Sequence, residues 1–239
     1  MFIRNGRTAA HTATLRNHLD VADPPSGQGP DSWLSVKSDV IGSLQPLDGD
    51  HVVRGQYDGY LDVEGVASSS TTESYVALRL AAQSWRWADV PIVIRAGKCL
   101  PVTATDVSFE FRRPPHDIFG LQPPFAGNRL RFRIWPESEI GINLVGKKPG
   151  ATRAPQVEEL RFAQQGSSDM RPYDRLIGAA LDDHRWLFAR EETVEAAWRV
   201  VDPVLGDVTP LHPSAKGSWG PKEADALLPN GDVWQDPVV

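Results

Sequence analysis

Tyr75 to Leu100 reads Y-V-A-L-R-L-A-A-Q-S-W-R-W-A-D-V-P-I-V-I-R-A-G-K-C-L. From Tyr75 to Leu80 apolar residues alternate. Val76, Leu78 and Leu80 point one way and Ala77 and Arg79 the other, as in a half-buried strand. Trp85 and Trp87 fall in a short connection. Val90 to Ile94 is rich in β-branched residues, which suit a buried strand. The run ends in Arg95, Ala96, Gly97 and Lys98. Gly97 permits a sharp turn and a close approach of backbone to a ligand. Arg95 and Lys98 place positive charges at a strand end, where an anion can sit. The plainer reading is a strand exit with solvated basic residues.

The same period-two pattern extends in both directions. His51 to Tyr57 reads as a strand. Val107, Phe109 and Phe111 alternate with Ser108, Glu110 and Arg112. Leu130, Phe132 and Ile134 alternate with Arg129, Arg131 and Arg133. Ile140, Ile142 and Leu144 form the next series, and Val157, Leu160 and Phe162 suggest one more. Helical stripes follow: Tyr173, Leu176, Ile177, Ala180 and Leu181 after Pro172, then Val194, Ala197, Trp198 and Val201 before Pro203. A short helix is expected from Pro221 to Leu228. Strands first and helices later predict an α+β fold, a large, mainly antiparallel β-sheet with helices packed on one face. Residues 1–50 read as a poorly structured, divergent segment, with a Pro/Gly cluster from Pro24 to Pro30 and a short helix at best from Trp33 to Leu44. Residues 51–239 read as the α+β domain.

Composition removes several classes of function. The net charge of −6 gives no general reason to expect nucleic acid as a partner. No apolar run is long enough to span a bilayer, so no membrane partner is expected. The basic start carries no apolar secretory core. The single cysteine, Cys99, excludes an internal disulfide and fits a reducing cytoplasm; its expected role is that of a small buried residue. No G-x-G-x-x-G joins a strand to a helix, and there is no P-loop, H-E-x-x-H, paired cysteines or G-x-S-x-G. No metal site is expected. Asp182, Asp183, His184 and His51 read as solvated or structural. Lys147-Lys148-Pro149-Gly150 reads as an exposed turn rather than an anion grip. His18, in R-N-H-L, is the one candidate base.

Several segments then fall in a familiar order. They are V-V-R-G-Q-Y (Val52–Tyr57), E-G-V-A (Glu64–Ala67), T-T-E-S-Y (Thr71–Tyr75) and R-W-A-D-V-P-I-V-I-R-A-G-K (Arg86–Lys98). N-R-L-R-F-R-I-W-P (Asn128–Pro136), K-K-P-G (Lys147–Gly150), P-Y-D-R-L-I (Pro172–Ile177), E-A-A-W-R-V (Glu195–Val200) and G-S-W-G-P-K-E-A-D (Gly217–Asp225) follow. Together they resemble the NADP-dependent glucose-6-phosphate dehydrogenases, from residue 50 to about residue 228. The resemblance is to the C-terminal, substrate and dimerisation domain. The family's N-terminal Rossmann domain, with its nucleotide loop, and the substrate motif R-I-D-H-Y-L-G-K are absent from this sequence.

The resemblance implies an oxidoreductase of the pentose phosphate pathway. In the family, hydride passes from C1 of glucose 6-phosphate to NADP, and a histidine takes the C1 hydroxyl proton. Asn17-His18-Leu19 is the candidate match to that histidine's segment. The family's aspartate five residues earlier is Ala13 here, and D-V-A-D-P-P replaces the helix beyond. Lys98 matches the R-x-G-K lysine that contacts the sugar phosphate, a suitable point charge. Thr103 stands where a second basic residue usually assists, and Trp135 where a glutamine lies near the sugar. Some members hold a second, structural NADP on this sheet. Arg95 and Arg133 match two of its contacts, while Ala104 and Ser108 replace two others, so no cofactor-binding residue is assigned. The expected partners are glucose 6-phosphate and a second copy of the chain through the sheet. The expected location is cytoplasmic. The reading is thus a dehydrogenase homologue, truncated and inactive alone. The alternative is a non-catalytic dimerisation or sugar-phosphate-binding module. A separate polypeptide supplying the nucleotide domain is a third.

Overall fold

A computed structural model describes residues 9–16, 31–112, 128–150, 154–163, 172–184, 187–229 and 232–237. Its strands are β1 (Ala9–Arg16), β2 (Val52–Tyr57), β3 (Tyr75–Leu80), β4 (Ile92–Lys98), β5 (Thr105–Glu110), β6 (Arg129–Trp135), β7 (Glu139–Lys147), β8 (Pro155–Ala163) and β9 (Leu211–Ser214). They form one nine-stranded sheet in the order β8-β7-β6-β5-β1-β4-β3-β2-β9. Only β1–β5 and β2–β9 pair in parallel. The mainly antiparallel sheet and the α+β class are as expected from the alternating segments.

The central strand β1 falls within the stretch expected to be poorly structured. It pairs with β4 on one side and β5 on the other. Its sequence, A-A-H-T-A-T-L-R, offers Leu15 as its single large apolar residue, so the period-two signal is missing. Ladders on both sides hold a strand that its own side chains do not announce.

Helix α3 (Glu191–Val201) packs on one face of the sheet, and α1 (Asp31–Gly42) packs against α3. Val200 of α3 and Val204 after it cluster with Leu47, Val52, Val76, Leu80 and Ile92. The Ser38 and Thr193 hydroxyls share a 2.6 Å hydrogen bond, and Arg199 Nη2 donates to the Gly42 carbonyl. A 3-10 turn, Lys222–Leu227, replaces the short helix expected there and covers the other face. Ala224 and Leu227 of that turn pack with Tyr75, Ala77 and Leu100. Strand β3 is therefore covered on both faces rather than half-buried.

The outer strands invert the pattern that sequence alternation suggests. Ile134, Ile140, Leu160 and Phe162 lie on an apolar face that is 41–60% exposed among the described residues. The arginine face is the covered one. Arg131 ion-pairs with Asp106, Glu139 and Glu159, and Arg133 with Asp106. The remaining helix, α2 (Pro172–Leu181), appears where its stripe predicts it, with Ala179 buried and Tyr173, Ile177 and Leu181 exposed.

The Tyr75 ring fixes how the 3-10 turn meets the sheet. A Cβ on Gly97 would lie 2.8 Å from Tyr75 Cδ2, and one on Gly220 only 2.4 Å from its Cε2. Gly220 also has φ +99°, which disfavours any side chain. Gly220→Ala is expected to lower stability by about 3 kcal/mol, read by urea denaturation. The Tyr75 hydroxyl is buried without a partner. Burial pushes its pKa up to about 12, against a smaller lowering from Arg95. The neutral phenol is the form that folds. Its contribution is complete below pH 10 and is lost as pH rises toward 12. Tyr75→Phe is expected to be near neutral at pH 7 and to spare about 2 kcal/mol of the alkaline loss by pH 11.5, measured by denaturation at both pH values.

Candidate functional site

Two sequence motifs build the loop that holds the end of β4. The Arg54 guanidinium, 5% exposed, donates to the carbonyls of Thr71 and Thr209 and pairs with Glu73 and Asp207, each at 3.3 Å. Gln56 Nε2 donates to the carbonyls of Ser70 and Thr72. Together they anchor residues 70–73 beside β2. The next residue, Ser74, is buried and connects three backbones. Its N–H donates to the Gly55 carbonyl and its Oγ accepts from the Tyr57 N–H. Its carbonyl accepts the Lys98 N–H at 2.8 Å. Lys98 thus sits on a backbone fixed from a neighbouring strand before any ligand arrives.

The turn after β4 falls at Cys99, not at Gly97. Cys99 has φ +54°, while Gly97 remains in the ladder opposite Tyr75. Gly97 is required by the Tyr75 ring, not by a ligand. The Cys99 carbonyl accepts the Gly217 N–H, tying this turn to the one after β9. Cys99 is partly exposed rather than buried. It lies beside the Tyr57 phenol, whose pKa is raised by burial and then by Cys99. Lys216 places its ammonium 5.3 Å from the Tyr57 ring centroid. Sequence reasoning overlooked this cation, because no strand or helix pattern surrounds it.

Arg95 and Lys98 do not form one cationic site. They are three residues apart in a strand and so face opposite sides of the sheet. Arg95 is 2% exposed, and Asp236 meets it at 2.5 Å. Lys98 shares its face with Ile94 and Ala96, on the side of the α1 and α3 helices.

Register brings the other expected contacts to the same end of the sheet. Lys98 lies opposite Ala9, β1 pairs with β5 through His11 and Thr105, and Thr105 lies opposite Trp135. Thr103 precedes β5 by two residues. β1 nevertheless separates β4 from β5, which sets Thr105 about 10 Å and Trp135 about 14 Å across from Lys98. Trp135 is half-exposed there. A cavity of about 380 Å³ opens beside Tyr57, lined also by Asp58, Tyr60, Asp62 and His212, but Lys98 is not in its wall. His18 lies outside the described residues. The Lys147–Gly150 turn is exposed, as expected, and so are Asp182, Asp183 and His184 at the end of α2.

Among the described residues, the two arginines that the resemblance assigns to a dinucleotide on this sheet are already engaged. Arg95 is already paired and stacked, and Arg133 is paired with Asp106 at 3.1 Å. Ala104 and Ser108, at 0% and 1% exposure, add no positive charge. The sequence also contains no G-x-G-x-x-G fingerprint that could cradle a pyrophosphate. What the arrangement offers is a preset lysine at a strand end, suited to one phosphate.

Comparison with known proteins bears on this arrangement. Residues 19–235 match the family model "Glucose-6-phosphate dehydrogenase, C-terminal domain". That match starts one residue after His18. Glucose-6-phosphate 1-dehydrogenase 1 of Mycobacterium bovis is 40% identical over 230 residues, covering 93% of this chain and 49% of the relative. The enzyme of Aggregatibacter actinomycetemcomitans is 37% identical, covering 90% of this chain and 47% of the relative. The chain therefore spans about half the length of these relatives. The crystal structure of the Mycobacterium avium glucose-6-phosphate 1-dehydrogenase superposes with a TM-score of 0.81 at 33% identity, over 97% of this chain and 56% of that one. A second structure, a glucose-6-phosphate dehydrogenase in complex with its substrate, shares the fold with a TM-score of 0.76 at 24% identity, over 95% of this chain and 56% of that one. The chain belongs to the glucose-6-phosphate dehydrogenase family, matching its C-terminal domain.

Proposed function

We propose that this chain is the sugar-phosphate-binding half of a glucose-6-phosphate dehydrogenase, an oxidoreductase of the pentose phosphate pathway in the cytoplasm. The observation that carries this reading is Lys98, held by its own N–H at 2.8 Å from the Ser74 carbonyl within the R-x-G-K segment. Its ammonium supplies a point charge for the phosphate of glucose 6-phosphate. His18 is the proposed base at the C1 hydroxyl. The family reaction delivers hydride to NADP, and the sequence carries no G-x-G-x-x-G dinucleotide fingerprint for that acceptor. The chain alone is therefore proposed to bind sugar phosphate without oxidising it. No described helix is long and apolar enough to cross a membrane.

Calorimetric titration tests the site. Glucose 6-phosphate is expected to bind and glucose to bind more weakly, and Lys98→Ala is expected to weaken the sugar phosphate about tenfold or more. Equal binding of glucose and its phosphate, or no effect of Lys98→Ala, contradicts the site. Measurable NADP reduction by the purified chain contradicts its incompleteness.

A second reading, a non-catalytic dimerisation module, is favoured by the apolar face of β6 to β8. Register aligns Phe132, Ile140 and Phe162 across three strands, and Leu130, Ile142 and Leu160 beside them. A contiguous apolar face of this kind marks an interaction surface. We propose that a second copy covers it. Light scattering is expected to give twice the chain mass, and Phe162→Asp to return a monomer.

A further inference from the structure

Lys98 leaves β4 through a residue that needs support. Cys99 has φ +54°, the left-handed region, which a residue with a side chain enters at a cost. Such a backbone persists only where its neighbours hold it. Two groups do so here. The Cys99 carbonyl accepts the Gly217 N–H at 2.8 Å, and the Cys99 side chain lies against the Tyr57 phenol.

Gly217 belongs to the turn after β9, which is closed on itself. The Ser218 N–H and hydroxyl both donate to the Ala215 carbonyl, at 3.1 and 2.7 Å, and the Gly220 N–H donates to Ser218 Oγ. Lys216 ties this turn to β2. Its ammonium is 5.3 Å from the Tyr57 ring centroid, within cation–π range. A Cβ on Gly59 would lie 3.3 Å from Lys216 Nζ and 3.4 Å from Asp62 Oδ2, so the ammonium and a carboxylate border the same bare stretch of backbone. A ring of contacts thus runs from Lys98 to Ser74, Tyr57, Lys216, Gly217, Cys99 and back to Lys98. Lys216 is its exposed member and lies outside the ladder, so a substitution there leaves the core untouched.

We propose that Lys216 is a positioning residue for the phosphate corner: its ammonium on the Tyr57 ring clamps the turn after β9, and that turn holds Cys99 and so Lys98. The proposal rests on the reading of Lys98 as the phosphate ligand. Lys216 acts without touching the sugar phosphate.

Calorimetric titration of the full chain with glucose 6-phosphate tests this, beside amide exchange of the unliganded protein. Lys216→Ala is expected to weaken binding about threefold, with Tm unchanged. It is also expected to speed exchange at the Gly217 and Lys98 amides relative to the centres of β3 and β4. Lys216→Arg is expected to restore both, since a guanidinium also binds a ring face. Tyr57→Leu removes no charge and is expected to match Lys216→Ala, and the double variant to lose no more than Tyr57→Leu alone. Weaker binding in Lys216→Ala but not in Tyr57→Leu, or additive losses, shows a charge acting directly on the phosphate and overturns the proposal. Should Tyr57→Leu not fold, exchange decides, because a charge acting directly leaves the unliganded Gly217 amide unchanged. Wild-type affinity in Lys216→Ala also overturns the clamp, while a loss in Lys98→Ala then leaves the Lys98 reading standing. If the wild type binds no glucose 6-phosphate, the Lys98 reading fails and exchange alone decides the clamp: faster exchange at Gly217 in Lys216→Ala supports it, and unchanged exchange overturns it.

Discussion

The hydrogen bond from the Lys98 N–H to the Ser74 carbonyl joins the sheet to the site. It ties the last residue of β4 to the residue just before β3. Ser74 is positioned by β2, and the loop before it by Arg54 and Gln56. The segments R-G-Q-Y and T-T-E-S-Y thereby fix the backbone on which Lys98 sits. Tyr75 adds the second constraint. Its ring demands glycine at positions 97 and 220, and so sets how closely the turn at Lys222–Leu227 approaches the sheet. Together these contacts place Lys98 on a prepared strand end, so binding need not order that backbone.

The outer half of the sheet rests on charge rather than apolar burial. Asp106, 3% exposed, faces both Arg131 and Arg133. Glu159 has its pKa lowered chiefly by a hydrogen bond from Arg161, and burial lowers that of Arg129. Such a network stabilises little against an apolar isostere, but breaking one member leaves buried charge. Here it consumes the arginines that would otherwise take an anion. The apolar residues of the same strands are thereby turned outward.

Much of this architecture was legible in residue order. β3 and α2 lie where alternation and the apolar stripe place them, although β3 is covered on both faces and the α2 stripe is largely exposed. β1 was not legible, since A-A-H-T-A-T-L-R lacks alternating large side chains and is held by its neighbours' ladders. The turn at Cys99 was misplaced to Gly97, because glycine suggests a bend even where it serves packing. The covered face of β6 was not legible, because alternation gives two faces but not which one is buried. Lys98 became a candidate through its segment. The roles of Ser74, Arg54 and Asp236 were not legible, since each depends on a contact distant in sequence.

The central claim is that the Lys98 corner is preformed within this chain. Amide hydrogen exchange on the unliganded protein tests it most directly. The Lys98, Tyr57 and Gly217 amides are expected to exchange as slowly as those in the middle of β3 and β4, through unfolding of the whole sheet. Fast exchange at these amides, with the centres of β3 and β4 still protected, would show that the corner forms only when ligand binds and would contradict the claim.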